Sequence, residues 1–292
     1  MRSSDLGRLT LLGALWGGSF IFMRVAAPAF GPLATANIRV VIASFVLLLF
    51  VSAKKIDLNV GQSWGHYLIT GALNSAIPFS LFCWAETRIE ASTAAIINAT
   101  TPIFGMLVAA IWIKERITIA KLVGALIAFT GVSLVVGAGL NESFRSQGLP
   151  VLACLTAAFS YGVAATYIKW KSAQVEPLGV ALGSQISASI LLLPIAMWAL
   201  PHQVPSLNAS LCLLALGVLS TGAAYALFFR LVKDIGPIKT MTVTFLAPIF
   251  GLLWSFLFLG ESITVVKGIG AAVILVGTYL VTRPTRLQLP ST

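Results

Sequence analysis

One stretch of 34 residues occurs twice in this sequence. The first copy covers 102–135 and the second covers 248–281, aligned without a gap 146 residues later, which is half of the 292-residue chain. Both copies begin with Pro-Ile-Phe-Gly and share a Glu-x-Ile-Thr turn, a lysine and two glycines. A repeat of this kind decides the architecture before any local pattern does. It predicts a protein made of two similar halves.

The composition decides which solvent surrounds the two halves. The chain is 58% hydrophobic and 10% charged, with a mean hydropathy of +0.96, whereas soluble domains carry about 25% charged residues. Its 19 Lys and Arg residues stand in pairs and threes between apolar runs, whereas nucleic-acid-binding proteins cluster cations on one face. We therefore expect a lipid bilayer around the protein and no nucleic-acid partner.

Apolar runs long enough to cross a bilayer follow one another along the chain. A transmembrane helix needs about 20 mostly apolar residues, and the sequence predicts an all-α integral membrane protein with ten transmembrane helices. The first run, preceded by MRSSDLGR, is too long for a signal-peptide core and is expected to remain. The ten predicted spans are 9–27, 33–53, 66–85, 91–113, 118–138, 148–168, 178–200, 207–229, 237–259 and 265–282.

Lys and Arg residues are distributed unevenly between the two sides of these spans. If the N-terminus is cytoplasmic, 14 of them fall on the cytoplasmic side, and only Arg24, Arg88, Arg145 and Lys267 fall on the other. Cytoplasmic loops carry an excess of Lys and Arg. The distribution predicts that the N- and C-termini are both cytoplasmic.

Each half holds five predicted helices, and five is an odd number. The second half must then cross the membrane in the opposite sense, which gives two inverted five-helix repeats. We expect the first repeat at 1–140, the second at 147–284 and a disordered tail at 285–292. Inverted repeats are typical of secondary transporters, whose substrate site lies near the midplane between the repeats.

Several motifs also resemble one family. The sequence has a W-G-x-x-F stretch (Trp16, Gly17, Phe20), an Arg in helix 2, and a doubled helix–Pro–helix–Glu-x-x-Thr–helix ending at Pro102/Glu115 and Pro248/Glu261. In these features it resembles the drug/metabolite transporter superfamily, EamA type, including its exporters of aromatic amino acids. The resemblance implies export of small metabolites, often amino acids, from a bacterial inner membrane.

Polar and aromatic residues within the spans are the candidates for a substrate cavity, because polar groups at membrane depth often mark a pathway and small-ligand sites are apolar with a few polar groups. Ordinary hydrogen bonding between helices is the alternative role for each of them. The candidates are Trp16, Ser19, Phe20, Met23, Asn74, Pro78, Asn98, Thr101, Tyr161, Gln185, Ser220, Tyr225 and Thr244.

Two prolines stand at matching positions of the repeat. Pro102 and Pro248 each remove a helical hydrogen bond, so they are candidate gating hinges of helices 4 and 9. A static kink set by packing is the alternative.

Arg39 is the charge that lies inside a span. It is a candidate clamp for a substrate carboxylate, but the favoured interpretation is structural, with Arg39 reaching outward or pairing with Glu86 or Glu90 at the outer end of helix 3. The glycines of helices 5 and 10 favour packing within one chain, so we expect a monomer or a weak dimer.

The absence of catalytic and metal-binding motifs helps to decide between an enzyme, a transporter and a channel. The spans carry no acidic residue at mid-depth, no H-E-x-x-H or G-x-S-x-G motif and no His/Cys/acid cluster with metal spacing, so we expect neither an enzyme nor a metal or other cofactor. A single intramembrane cation suits neutral or zwitterionic solutes, with hydrophobic or aromatic amino acids favoured. Without a membrane carboxylate to carry protons, we expect facilitated export. Proton-coupled efflux of cationic drugs and a small-solute channel are the alternatives.

Overall fold

The computed structural model describes residues 3–54, 60–137, 144–171, 177–199, 201 and 203–283; the tail predicted to be disordered, 285–292, lies outside these ranges. Within them the chain is helical and contains no strand. The helices are α1 Ser3–Phe30, α2 Pro32–Lys54, α3 Val60–Gly71, α4 Ile77–Glu86, α5 Ala91–Asn98, α6 Thr101–Trp112, α7 Ile119–Gly137, α8 Phe144–Lys171, α9 Pro177–Trp198, α10 Leu207–Gly217, α11 Ala224–Ile235, α12 Pro237–Thr240, α13 Val243–Leu259 and α14 Val265–Thr282.

The helical segments have the length and composition of membrane spans. Nine segments of the described chain are long and apolar enough to cross a bilayer, counting α3–α4, α5–α6 and α10–α11 as one segment each. A further apolar helix, α13, has 17 residues and is shorter. An all-helical membrane protein is therefore confirmed, while the tenth span, the inverted repeats and the orientation of the termini stay predictions.

The predicted helix 4 is broken just before Pro102. It forms α5 and α6, with Ala99 and Thr100 between them. Proline lacks the N–H that would bond the Asn98 carbonyl, and the Thr101 hydroxyl donates to that oxygen instead at 2.8 Å. The hydroxyl of Thr278 on α14 donates to the Ala99 carbonyl at 2.9 Å. In a bilayer such freed carbonyls need a partner from the protein, and two threonines provide it.

Wider helical turns interrupt two further spans at matching places. Ala72–Ala76 joins α3 to α4 and Val218–Ala223 joins α10 to α11, both with π-helical hydrogen bonding. The two segments begin 146 residues apart, the spacing of the sequence repeat. π-Helical turns are rare and occur often at functional sites, and these two lie where the two halves of the chain meet.

The two repeat prolines are not structurally equivalent. Pro102 lies in the first turn of α6, directly after a break, whereas Pro248 lies inside the continuous helix α13. The irregular turn of that span occurs earlier, at Met241 and Thr242, between α12 and α13. The hinge prediction for both prolines stays open, but the symmetric kink that the repeat suggested is not seen.

Glycines let α7 and α14 approach closely. A Cβ added at Gly131 would lie 2.8 Å from the Gly270 carbonyl oxygen, and one added at Gly277 would lie 2.6 Å from the Ala128 nitrogen. Both distances are shorter than a carbon atom tolerates, so only glycine fits. Small residues of this kind allow helices to pack in lipid, where apolar surface alone does not drive association. The glycine faces of the repeat thus pack against each other within one chain.

Two other glycine contacts form a matched pair. A Cβ on Gly17 of α1 would lie 2.7 Å from the Gly251 nitrogen of α13, and a Cβ on Gly162 of α8 would lie 2.6 Å from the Gly105 nitrogen of α6. Gly162 follows Gly17 by 145 residues, and Gly251 follows Gly105 by 146. Each contact joins a helix of the first half to a helix of the second, so the halves are interleaved.

Replacing Gly277 by Ala should lower the thermal stability of the detergent-solubilised protein. The new methyl group would overlap α7, and overpacking of this kind costs about 1–3 kcal/mol. Gly268→Ala is the matched control on the same helix, because nothing lies within 4 Å of its added Cβ and Ala is the better helix former. Equal melting temperatures for the two variants would contradict the close-packing argument.

Candidate functional site

Two buried hydrogen bonds between side chains join the first half of the chain to the second half. Arg39 Nε on α2 donates to Thr221 Oγ1 at 2.8 Å, and Gln185 Nε2 on α9 donates to Ser75 Oγ at 2.8 Å. All four residues are buried. Gln185 follows Arg39 by 146 residues, and Thr221 follows Ser75 by the same number. The two bonds are therefore counterparts, with a cation in one and a neutral amide in the other.

Arg39 is held by neutral groups. Its guanidinium lies 3.6 Å from the ring centroid of Phe79, and its Nη1 donates to the sulfur of Met23 at 3.4 Å. Only 5% of Arg39 is exposed, and within the described chain its hydrogen bonds go to Thr221 and Met23 and to no carboxylate. The predicted pairing with Glu86 or Glu90 is thus not formed, and Arg39 does not reach outward to water.

Aromatic and amide side chains lie around the hydrogen bonds of Arg39 and Gln185. Phe20 packs edge-on against Phe82 at 5.6 Å between ring centroids, and Phe82 stacks on Tyr161 at 6.3 Å. Asn74 donates from Nδ2 to the hydroxyl of Tyr225 at 2.9 Å. We call the assembled residues the central cluster. Its members are Phe20, Met23, Arg39, Asn74, Ser75, Phe79, Phe82, Tyr161, Gln185, Thr221 and Tyr225.

The other sequence candidates lie outside the central cluster or serve the backbone. Thr101 and Thr244 donate to the carbonyls of Asn98 and Met241 at 2.8 Å. Ser19 donates to the Trp16 carbonyl at 2.7 Å, and Trp16 packs on Phe228. Pro78 is buried at the start of α4, and Ser220 is buried with no partner for its hydroxyl in the described chain.

Sequence reasoning missed four members of the central cluster, which are Ser75, Phe79, Phe82 and Thr221. One signal was available for two of them, since Ser75 and Thr221 are hydroxyl residues at matching positions of the repeat. Phe79 and Phe82 resemble other apolar residues of α4. Only the packing of α4 against α1, α2 and α8 identifies them.

Glu261 binds a helix of the other half at one end of the bundle. Its carboxylate accepts hydrogen bonds from Ala91 N at 2.8 Å, from Ser92 N at 3.0 Å and from Ser92 Oγ at 2.5 Å. The two backbone N–H groups belong to the first turn of α5, where N–H groups have no partner inside the helix, and the helix dipole favours a negative charge there. Nearby, Lys267 pairs with Glu90.

Glu115, the repeat counterpart of Glu261, makes a different contact at the opposite end. Its backbone N–H donates to Ala109 at 3.2 Å, as the N–H of Glu261 does to Ser255 at 3.2 Å. The turns are thus alike, but the Glu115 carboxylate pairs with the exposed Lys169 instead of a helix N-terminus. In this conformation the bundle is fastened more tightly at the Glu261 end than at the Glu115 end.

Glu86 lies at the Glu261 end and is fully buried. Its backbone carbonyl accepts a hydrogen bond from Arg24, while neither carboxylate oxygen has a partner in the described chain. A cavity of about 410 Å³ is lined by Arg24, Glu90, Leu259, Gly260, Glu261 and Ser262. Glu86 is the last residue of α4, so this buried acid lies at the end of a span, and the expectation of facilitated export stays a prediction.

Comparison with known proteins found a family model that matches both halves of the chain. The model of the EamA-like transporter family matches residues 8–137 and again residues 148–283. A solved crystal structure superposes with a TM-score of 0.69 at 18% identity, covering 96% of each chain, so it shares the fold.

Several similar proteins are named as transporters or exporters. A probable terminal-alkyne amino-acid exporter of Streptantibioticus cattleyicolor is 25% identical, covering 97% of this chain and 95% of its own length. A probable amino-acid metabolite efflux pump of Salmonella typhimurium is 26% identical, covering 92% of each. An uncharacterized transporter of Bacillus subtilis is 24% identical over 96% of this chain and 92% of its own length.

Replacing Glu261 by Ala should loosen the first turn of α5. Loss of a helix N-cap costs about 0.5–2 kcal/mol, so amide exchange at Ala91 and Ser92 should accelerate about 2- to 30-fold. Hydrogen exchange measured by mass spectrometry on the detergent-solubilised protein reports this. Glu115→Ala is the matched control, and a similar acceleration at Ala91 and Ser92 in that variant would show that Glu261 has no special role.

Proposed function

Because this chain belongs to the EamA-like transporter family, we propose that it exports small neutral or zwitterionic metabolites, with hydrophobic and aromatic amino acids as the favoured class. The coarser part of this statement, a multi-pass membrane transporter, follows from the family and the apolar helices. The observation that carries the finer part is the central cluster, in which both halves supply polar groups around one cation.

The chemistry of the central cluster supports this substrate class. It contains a single positive charge, whereas a phosphate-bearing solute would need several cations to balance its charge. Rings of Phe20, Phe82 and Tyr161 supply apolar surface, and hydroxyl and amide groups supply a few oriented hydrogen bonds, as in other small-ligand sites. Two of the similar proteins are named as exporters of amino acids or their metabolites, which agrees with the proposal.

Transport by alternating access is the second part of the proposal. Two inverted five-helix halves would rock about a site between them, and the matched contacts at Gly17/Gly251 and Gly162/Gly105 are those expected of halves related by a two-fold axis. The unequal partners of Glu261 and Glu115 fit one stage of such a cycle, with one end fastened and the other released.

The bacterial inner membrane is the proposed location, with both termini in the cytoplasm. The unequal distribution of Lys and Arg between the two sides supports this orientation, and bacterial transporters are among the similar proteins. In this orientation the Glu261 end faces outward, so the hydrogen bonds of Glu261 to α5 would hold the two halves together at the outer end.

Two alternatives have a specific basis. Aromatic rings also bind organic cations, so proton-coupled efflux of cationic drugs is a second candidate. A channel for small solutes is the third, although the central cluster is packed side chain against side chain.

Counterflow in proteoliposomes tests the proposal. Vesicles loaded with unlabelled phenylalanine, leucine or alanine should accumulate the labelled amino acid transiently, because a carrier exchanges one bound solute for another. The initial rate should saturate with concentration and should be highest for phenylalanine or leucine. Protein-free liposomes provide the background.

Other results of the same assay select the alternatives. Counterflow of an organic cation such as tetraphenylphosphonium, with none of any amino acid, would overturn the proposed substrate class in favour of drug efflux. Rapid equilibration of every small solute without counterflow would identify a channel.

A further inference from the structure

Two spans from different halves of the chain end side by side at the Glu115 end of the bundle. α6, from the first half, ends at Trp112, and α8, from the second half, ends at Lys171. The two helices pack together through Gly105 and Gly162, where an added Cβ on Gly162 would lie 2.6 Å from the Gly105 nitrogen. Both halves therefore contribute to the surface at this end.

Aromatic rings join the ends of the two helices. The ring centroids of Trp112 and Trp170 are 5.8 Å apart, and the Tyr167 ring lies 6.3 Å from Trp112 and 6.4 Å from Trp170. Tyr167 is buried beneath them, whereas Trp112 is 43% and Trp170 53% exposed. Trp and Tyr are enriched where a membrane meets water, because an apolar ring carries a polar N–H or O–H. The rings thus mark the level of the lipid head groups.

Basic side chains lie beside these rings. The Lys171 Nζ atom is 5.0 Å from the ring centroid of Trp170, within the range of a cation–π contact. Lys169 precedes Trp170, and two more cations follow Trp112 in the next turn. We call this surface the basic aromatic patch. Its members are Trp112, Lys114, Arg116, Tyr167, Lys169, Trp170 and Lys171.

Positive charge is in surplus in the basic aromatic patch. Glu115 is the acid that contacts it in the described chain, and Glu115 pairs with Lys169. The other cations, Lys114, Arg116 and Lys171, are exposed and form no ion pair within the described ranges. The C-termini of α6 and α8 add about half a negative charge each. Four cations against one carboxylate and these two helix ends leave a surplus of about two positive charges.

The sequence repeat shows that the turn after α6 does not need these charges to form. The counterparts of Trp112, Lys114 and Arg116, 146 residues later, are uncharged; they are Phe258, Gly260 and Ser262. Each turn nevertheless closes with a backbone hydrogen bond of 3.2 Å. The cations are therefore an addition to the shared turn, present at one end of the bundle and absent from its counterpart.

Apolar surface continues from the patch along the two helices. Ile111 on α6 and Phe159 on α8 are exposed, and Phe159 packs edge-on against Phe104 of α6 at 5.8 Å between ring centroids. A ligand with an anionic head and long apolar tails would cover both the cations and this surface. A soluble anion would cover the cations alone.

On this basis we propose that the basic aromatic patch binds an anionic phospholipid. The phosphate lies among Lys114, Arg116 and Lys171, the indole rings contact the glycerol part, and the acyl chains run along α6 and α8. Clusters of Lys and Arg at the end of membrane helices attract anionic head groups in this way. Because the cations come from both halves of the chain, the bound lipid bridges the halves at this end. The inference goes beyond the proposed transport function and does not depend on which solute is carried.

Lipid titration followed by native mass spectrometry tests the proposal on the purified protein in detergent. The first phosphatidylglycerol should bind at least about tenfold more tightly than phosphatidylcholine, because each cation near the head group contributes roughly fivefold. Lys171→Gln should weaken phosphatidylglycerol binding roughly fivefold and leave phosphatidylcholine binding unchanged. The triple variant with Lys114→Gln, Arg116→Gln and Lys171→Gln should bind the two lipids alike. Lys171→Arg should bind as the wild type does, because a guanidinium keeps the charge and stacks on the ring.

A matched control lies at the opposite end of the bundle. Arg88 is exposed, and its guanidinium lies 4.3 Å from the ring centroid of Trp84, so it is a cation–ring pair outside the basic aromatic patch. Arg88→Gln should bind phosphatidylglycerol as tightly as the wild type does. Size-exclusion profiles and melting temperatures without added lipid show whether each variant is folded.

A thermal-shift measurement identifies the part of the lipid that binds. Phosphatidylglycerol should raise the melting temperature of the wild type more than that of the triple variant, because a ligand of the folded state stabilises it. Glycerol 3-phosphate, which has no acyl chains, should have no effect on either protein. An equal rise with glycerol 3-phosphate would show a site for soluble phosphate and overturn the lipid proposal.

Two results of the titration would also overturn it. One is equal binding of phosphatidylglycerol by the wild type and the triple variant, and the other is an equal loss of binding in Arg88→Gln and Lys171→Gln. Amino-acid counterflow is measured separately, so either result would leave the proposed function standing.

Discussion

Close approach of helices from opposite halves of the chain is the interaction on which the rest of the structure depends. In lipid, apolar side chains gain little by leaving their solvent, so helices associate through van der Waals contact and a few hydrogen bonds. Glycine at the crossing points of α1 with α13, α6 with α8 and α7 with α14 brings backbones together. These contacts interleave the halves, and neither half encloses the central cluster by itself.

Interleaving also explains where the backbone can depart from a regular helix. The break between α5 and α6 and the two π-helical turns leave carbonyl groups without their usual donors. Hydroxyl groups replace those donors, and some of them come from the other half. Thr278 of α14 serves Ala99, and Ser160 of α8 serves Leu73. The π-helical turns carry Ser75 and Thr221, so the irregular backbone and the central cluster occupy the same place.

The departures from symmetry are where chemistry can differ between the halves. Arg39 and Gln185 make counterpart hydrogen bonds, but only Arg39 is charged. Glu261 and Glu115 occupy counterpart turns, but only Glu261 binds a helix N-terminus. A carrier needs two similar arrangements, one open to each side, and a directional binding site. In the proposed transport cycle, the shared turns would serve the first need and the unequal charges the second.

The sequence by itself determined the membrane environment, the repeat, the transporter family and most of the helix positions, because each depends on local composition or on spacing along the chain. It also identified Arg39, Gln185 and Tyr161 as candidates. It did not show that the Thr101 hydroxyl bonds the broken helix, and it placed Glu86 correctly at the end of a span without showing that Glu86 is buried. Only the tertiary structure decided these points, because burial and pairing depend on which helix from the distant half covers a residue, and that follows from helix rotation and contact across the chain.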